Sequence, residues 1–108
     1  MANKASAYSE AEIMTRLAAL PGWGYEGGAL TRVFKTQGFA PALMLANAIG
    51  YHAELADHHP DLTVAWGKLS ITLSTHSAGG ITEKDFQLAR KIEELAGSPE
   101  STPPQNPP

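Results

Sequence analysis

Apolar residues recur at helical spacing in three segments of the chain. The first segment opens with Ser9 and Glu12 at capping-box spacing, and the third opens with Thr82 and Asp85 in the same relation. The second lies within residues 40–58, ahead of Pro60. The positions expected on the buried faces are Ile13, Leu17 and Leu20 in the first helix, Leu43, Ala46, Ile49 and Ala53 in the second, and Leu88, Ile92 and Leu95 in the third. The pattern therefore predicts three amphipathic helices.

The segments between these helices have the pattern of two β-hairpins. One is predicted over residues 23–26 and 29–35 around Gly27-Gly28, and the other over residues 62–66 and 68–75 around Gly67. The last strand alternates strictly, with Leu69, Ile71 and Leu73 on one side and Lys68, Ser70, Thr72 and Ser74 on the other. The element order is αββαββα. It favours an α+β fold, in which helices pack on one face of a four-stranded antiparallel sheet.

Composition limits the range of functions. The chain of 108 residues is long enough for one domain, and its last eleven residues contain five prolines and no large apolar side chain. We expect a domain over residues 1–97 and a disordered proline-rich tail over residues 98–108. A net charge of −3 disfavours direct nucleic-acid binding, and the absence of cysteine excludes thiolate chemistry. With no signal peptide or membrane span in the sequence, a cytoplasmic protein without membrane association is expected.

Histidines gather near the end of the second predicted helix. His52, His58 and His59 lie there, and His76 follows the alternating strand. Imidazole exchanges protons near neutral pH, so the cluster indicates acid–base chemistry. Three other interpretations stay open on spacing alone. The histidines could be surface or helix-capping residues, Glu54 and His58 could supply two metal ligands, or a serine at 74 or 77 could pair with His76 as a nucleophile.

The arrangement as a whole resembles the pterin-4a-carbinolamine dehydratases. The resemblance is carried by Glu54-Leu55-Ala56-Asp57-His58-His59-Pro60, followed by Trp66, His76 and Asp85 at the gaps typical of that family. It extends outward to Trp23, to the strand at 30–34, to Ile71-Thr72-Leu73-Ser74-Thr75-His76 and to Gly80-Ile81-Thr82-Glu83-Lys84-Asp85-Phe86. In all it covers about residues 9 to 96, nearly the whole predicted domain.

This resemblance implies an activity and a set of site residues. The implied reaction is dehydration of a 4a-hydroxytetrahydropterin to a quinonoid dihydropterin in tetrahydropterin recycling, with no metal and no organic cofactor. His58, His59 and His76 are implied as catalytic residues. The implied pterin contacts are Glu54, Asp57, His58, His59, Ser74, Thr75, His76 and Ser77. The implied partners are the pterin, further copies of the chain in a homodimer or homotetramer, and a pterin-dependent aromatic amino acid hydroxylase. The alternative is a non-catalytic binding, assembly or coactivator-like module on the same fold.

Overall fold

The computed structural model describes residues 6–97. The predicted tail over residues 98–108 and the first five residues lie outside the described part of the chain. The helices are α1 (Glu10–Leu17), α2 (Phe39–Ala56) and α3 (Glu83–Ala96). The strands are β1 (Gly24–Glu26), β2 (Ala29–Lys35), β3 (Asp61–Ala65) and β4 (Lys68–Leu73), and a single 3-10 turn covers His76–Ala78. The α+β class and the order αββαββα are thus confirmed.

The four strands form one antiparallel sheet in the order β1-β2-β4-β3. Glu26 faces Ala29 across the first hairpin, and both glycines between them have positive φ, of 60° at Gly27 and 81° at Gly28. A two-residue turn with that backbone suits the twist of a hairpin and favours glycine. The central pairing joins β2 to β4, with Arg32 opposite Ile71. Strands β1 and β3 are left as the two edges of the sheet.

The core lies between the apolar face of the sheet and the helices. Leu30, Leu69, Ile71 and Leu73 supply the sheet side, and Ile13, Leu17, Ile49, Phe86 and Ile92 are among the helical residues packed on it. The capping boxes predicted at Ser9 and Thr82 are both present. Within residues 6–97, no helix combines the length and apolar character needed to cross a membrane.

The buried face of α2 differs from the prediction at one position. Ala42, Ala46, Ile49 and Ala53 are buried, whereas Leu43 is 41% exposed. Three of the four buried side chains are alanines, which allow the helix backbone to approach the sheet closely. The larger side chains of α2 are consequently turned outward: Met44, Tyr51 and Leu55 are each more than 60% exposed. Their exposure leaves an apolar stripe on the outer side of α2.

Candidate active site

The predicted site residues lie where three elements meet. These are the end of α2, the segment after β4 and the start of α3. Thr75 forms an isolated bridge with Gly80, and this bridge closes the loop that carries His76 and delivers the chain to Thr82. Strand β4 ends at Leu73, two residues earlier than predicted, because the chain then enters this loop.

Asp57 ends helix α2 and sets the direction of the two histidines that follow it. Its φ is 54°, the only positive value among the described residues other than glycine. Aspartate tolerates this left-handed conformation better than most residues. The N–H of Asp57 donates to the carbonyl of Glu54 at 3.1 Å, and the N–H of His58 donates to Ala53 at the same distance. These two bonds satisfy carbonyls at the helix end, and they place His58 outside the helix.

Asp85 is the centre of a buried hydrogen-bond network. Its Oδ1 atom lies 2.6 Å from Nε2 of His58. Its Oδ2 atom accepts from the hydroxyl of Thr75 at 2.7 Å and from the N–H of Thr82 at 2.9 Å. The hydroxyl of Thr82 lies 2.9 Å from that of Thr75 and, since the Thr75 proton is directed to Asp85, it is the donor in this pair. Asp85 and Thr82 are fully buried.

This network determines the tautomer of His58. As a carboxylate, Asp85 can only accept hydrogen bonds, so Nε2 of His58 carries the proton that it donates. The second ring nitrogen, Nδ1, is then the atom that can take up or release a proton. A carboxylate that holds one imidazole nitrogen in this way fixes both the tautomer and the orientation of the ring.

His59 has a carboxylate partner of its own. Nε2 of His59 lies 2.8 Å from Oε1 of Glu54. Both side chains are more than half exposed, so this pair lies at the surface, in contrast to His58, whose side chain is 10% exposed. Glu54 and His58 lie four residues apart, but α2 ends at Ala56 and the left-handed Asp57 turns His58 toward Asp85.

The remaining predicted residues belong to the loop after β4. His76 and Ser77 are exposed, Ser74 is partly buried, and Thr75 is 5% exposed. Two hydrogen bonds to Asp85, one donated by the hydroxyl of Thr75 and one donated by Nε2 of His58, connect the base of this loop to the end of α2. His76 follows Thr75 directly in this loop, and its side chain is exposed.

Two of the chemical alternatives can be compared with this geometry. The two suggested metal ligands have other hydrogen-bond partners: Glu54 is bonded to His59, and His58 is bonded to Asp85. Among residues 6–97, no three histidine or carboxylate side chains are grouped closely enough to hold a metal ion. Within residues 6–97, neither Ser74 nor Ser77 forms a hydrogen bond with the imidazole of His76.

A cavity of about 320 Å³ adjoins His58 between α2 and α3. Its walls are His52, Leu55, Ala56 and His58 on one side and Lys84, Gln87, Leu88 and Lys91 on the other. His59 and His76 do not line it. No local pattern predicts this cavity, because its two walls are about thirty residues apart in the chain. The central role of Asp85 was also missed, although its capping-box position already placed it at the start of a helix.

Comparisons with known proteins agree with the architecture and with the motif. The family model described as pterin 4 alpha carbinolamine dehydratase matches residues 6–95. The chain belongs to this family. A Roseiflexus protein named "Putative pterin-4-alpha-carbinolamine dehydratase" is 41% identical over 91 residues, which are 84% of this chain and 98% of that protein. A Sulfolobus acidocaldarius protein of the same name is 44% identical over 86 residues, or 80% of this chain and 94% of that protein.

Two solved structures are similar in fold. One is described as a transcriptional coactivator/pterin dehydratase from Brucella melitensis, with a TM-score of 0.81 and 37% identity. The match covers 85% of this chain and all of that one. The other is a pterin dehydratase-like protein described as a RuBisCO assembly factor, with a TM-score of 0.62 and 22% identity over 73% of this chain and 94% of that one. At that identity the second likeness concerns the fold alone.

Proposed function

We propose that this protein dehydrates a 4a-hydroxytetrahydropterin to the quinonoid dihydropterin by histidine acid–base catalysis. The observation that carries the proposal is the orientation of His58. A fully buried carboxylate, Asp85, holds its Nε2 at 2.6 Å, which leaves Nδ1 for proton transfer at the meeting point of α2, β4 and α3. Family membership supplies the substrate class.

The reaction requires two proton movements. The C4a–O bond breaks and the hydroxyl leaves as water after it receives a proton from a general acid. A general base removes the proton on N5, and the electron pair of N5 forms the C4a=N5 double bond. Because the N5 lone pair drives departure of the hydroxyl, two positioned imidazoles are sufficient for the chemistry, and such groups typically contribute about 10²–10⁴-fold.

The three histidines differ in the groups that hold them in place. His58 is held by a buried carboxylate, whereas His59 is held by the exposed Glu54. His76 lies on the loop anchored by Thr75. We assign proton transfer to His58 and His76, which come from different elements and can therefore approach a substrate from two sides. We also propose His59 as a catalytic residue and assign it, with Glu54 and Asp57, to the edge of the pterin site at the end of α2. Ser74, Thr75 and Ser77 are assigned to its edge in the loop.

Turnover of a chemically generated 4a-hydroxytetrahydropterin tests the proposal. The purified protein should accelerate formation of the quinonoid product, followed by stopped-flow absorbance. Prior treatment with EDTA should leave the rate unchanged, because neither proton transfer uses a metal. A rate equal to the uncatalysed one would refute the proposal.

A second candidate function is supported by the outer side of α2. Met44, Tyr51 and Leu55 are exposed by 63–68% and lie on one helix. A stripe of this kind is typical of a docking surface, and the similar Brucella melitensis structure is described as a transcriptional coactivator as well as a pterin dehydratase. A protein that binds a partner through α2 but leaves the hydroxypterin unchanged would favour this assembly role over the enzymatic one.

A further inference from the structure

The cavity between α2 and α3 has cationic side chains and no acidic ones in its wall. Lys84 and Lys91 contribute two ammonium groups, and His52 and His58 contribute imidazoles. Within residues 6–97, Lys84 has no salt-bridge partner. Lys91 pairs with Glu94 at 3.0 Å, but both side chains are more than 40% exposed, and such surface pairs contribute little free energy. An anion in the cavity would therefore meet one ammonium group, that of Lys84, with no salt-bridge partner among residues 6–97, and a second, that of Lys91, in an exposed pair.

The two lysines of the cavity wall both come from α3. Lys84 lies in the first turn of this helix, directly before Asp85, the partner of His58. Lys91 lies seven residues further along α3, a rise of about 10 Å, and His52 lies earlier on α2. The flexible stems of both lysines allow their ammonium groups to converge on one ligand.

Apolar side chains also line the cavity. Leu55 and Ala56 lie on the α2 side and Leu88 on the α3 side. Leu88 is 4% exposed, so its side chain is packed in the core as well as lining the cavity. A volume of about 320 Å³ is at the small end of the range for ligand sites. The cavity thus suits a small molecule that joins an apolar body to an anionic group.

We infer that this cavity is a binding site for a small organic anion, a phosphate or carboxylate attached to an apolar ring or chain. The lysines would bind the anionic group, and Leu55 and Leu88 would contact the apolar body. Because His58 lines the cavity, a bound anion would also lie beside a proposed catalytic residue and would slow the dehydration. This last step rests on the proposed function, whereas the binding itself does not.

Isothermal titration with phenyl phosphate tests the binding, with the sites located by amide chemical shifts. We expect saturable binding and shifts confined to α2 and α3. Inorganic phosphate lacks the apolar body and benzyl alcohol lacks the anion, so each should bind at least about tenfold more weakly. Absence of saturation with phenyl phosphate would overturn the inference, and equal affinity for inorganic phosphate would overturn its apolar part.

Two double variants separate a specific site from general electrostatic attraction. Lys84→Gln/Lys91→Gln should weaken phenyl phosphate binding by at least about tenfold, whereas Lys84→Arg/Lys91→Arg should retain it. Lys35→Gln/Lys68→Gln is the matched control, since it removes the same charge from paired strand positions outside the cavity. An equal loss in the control would refute the site.

The effect on turnover is measured separately. Phenyl phosphate should inhibit the wild-type protein and have little effect on the Lys84→Gln/Lys91→Gln variant. Binding without inhibition would refute the proposed effect of the anion on His58, but it would still support the binding site. Absence of any turnover would refute the proposed function and leave the titration result intact.

Discussion

Asp85 stabilises the candidate site through three hydrogen bonds to its side chain. One donor is His58, and the other two are Thr75 and the backbone of Thr82. A buried carboxylate is compatible with the core only while such donors surround it. The same three bonds that satisfy Asp85 therefore fix the ring of His58 and the base of the His76 loop.

Replacing this carboxylate by an amide should damage both activity and stability. We expect Asp85→Asn to lower the dehydration rate by at least about tenfold and to destabilise the fold by about 1–3 kcal/mol, because an amide nitrogen would face donors in a buried site. Nitrogen NMR of His58 should show that Nε2 no longer holds the proton uniformly. Asp61→Asn, at an exposed strand position, is the control and should change neither quantity. A normal histidine spectrum in Asp85→Asn would contradict the positioning role.

Histidine substitutions test the proton transfers directly. His58→Ala and His76→Ala should each lower the dehydration rate by at least about tenfold. If the two act as an acid–base pair, the double variant should lose much less than the product of the single losses. Stopped-flow rates on the four proteins give this comparison. Thr63→Ala, on the exposed side of edge strand β3, serves as the control. A wild-type rate in His76→Ala would remove that residue from the mechanism.

At the scale of elements, the two capping boxes differ in what surrounds them. Ser9 caps α1 at the surface, and Thr82 caps α3 inside the network of Asp85 and Thr75. Both are capping boxes, but only Thr82 is fully buried. The cap of α3 thus also belongs to the candidate site.

The two caps should respond differently to truncation. Ser9→Ala should cost about 1 kcal/mol, the usual value of a helix cap. Thr82→Ala should cost more, about 2–3 kcal/mol, because it also removes a donor from the buried hydroxyl of Thr75. Chemical denaturation of both variants provides the comparison. Equal losses would show that the network adds nothing to the cap.

For the whole molecule, three uncovered surfaces within residues 6–97 favour self-association. Strands β1 and β3 are open edges of the sheet, and the outer side of α2 exposes Met44, Tyr51 and Leu55. Edges and apolar stripes of this kind are commonly covered by a second copy related by two-fold symmetry. We propose a homodimer or a homotetramer.

Light scattering at micromolar concentration measures the assembly state. We expect a mass of at least twice the 11.5 kDa of the chain. Met44→Glu should reduce the mass if α2 forms a contact, whereas Glu10→Gln, at the exposed start of α1, should not. A monomeric wild-type protein would contradict the proposal.

The sequence by itself determined the elements, because their signals are local. The capping residues Ser9 and Thr82, the Gly27-Gly28 turn and the alternation through β4 each act over a few neighbouring residues, and all are present in the structure. The histidine cluster is also visible in the sequence, although its catalytic role was implied only by the family resemblance. When a helix is apolar on several faces, as α2 is, the pattern of apolar residues does not identify the buried face. The pattern therefore predicts Leu43 in the core, whereas the structure buries Ala42 there.

Only the tertiary structure decided how the site is assembled. The bond between His58 and Asp85 joins residues 27 positions apart, and it forms because Asp57 turns the chain at the end of α2. The same turn also brings His59 within hydrogen-bond distance of Glu54. The strand order and the cavity between α2 and α3 also depend on contacts between distant segments. Such contacts are selected by packing and by the need of buried polar groups for partners, and neither requirement is visible in local spacing.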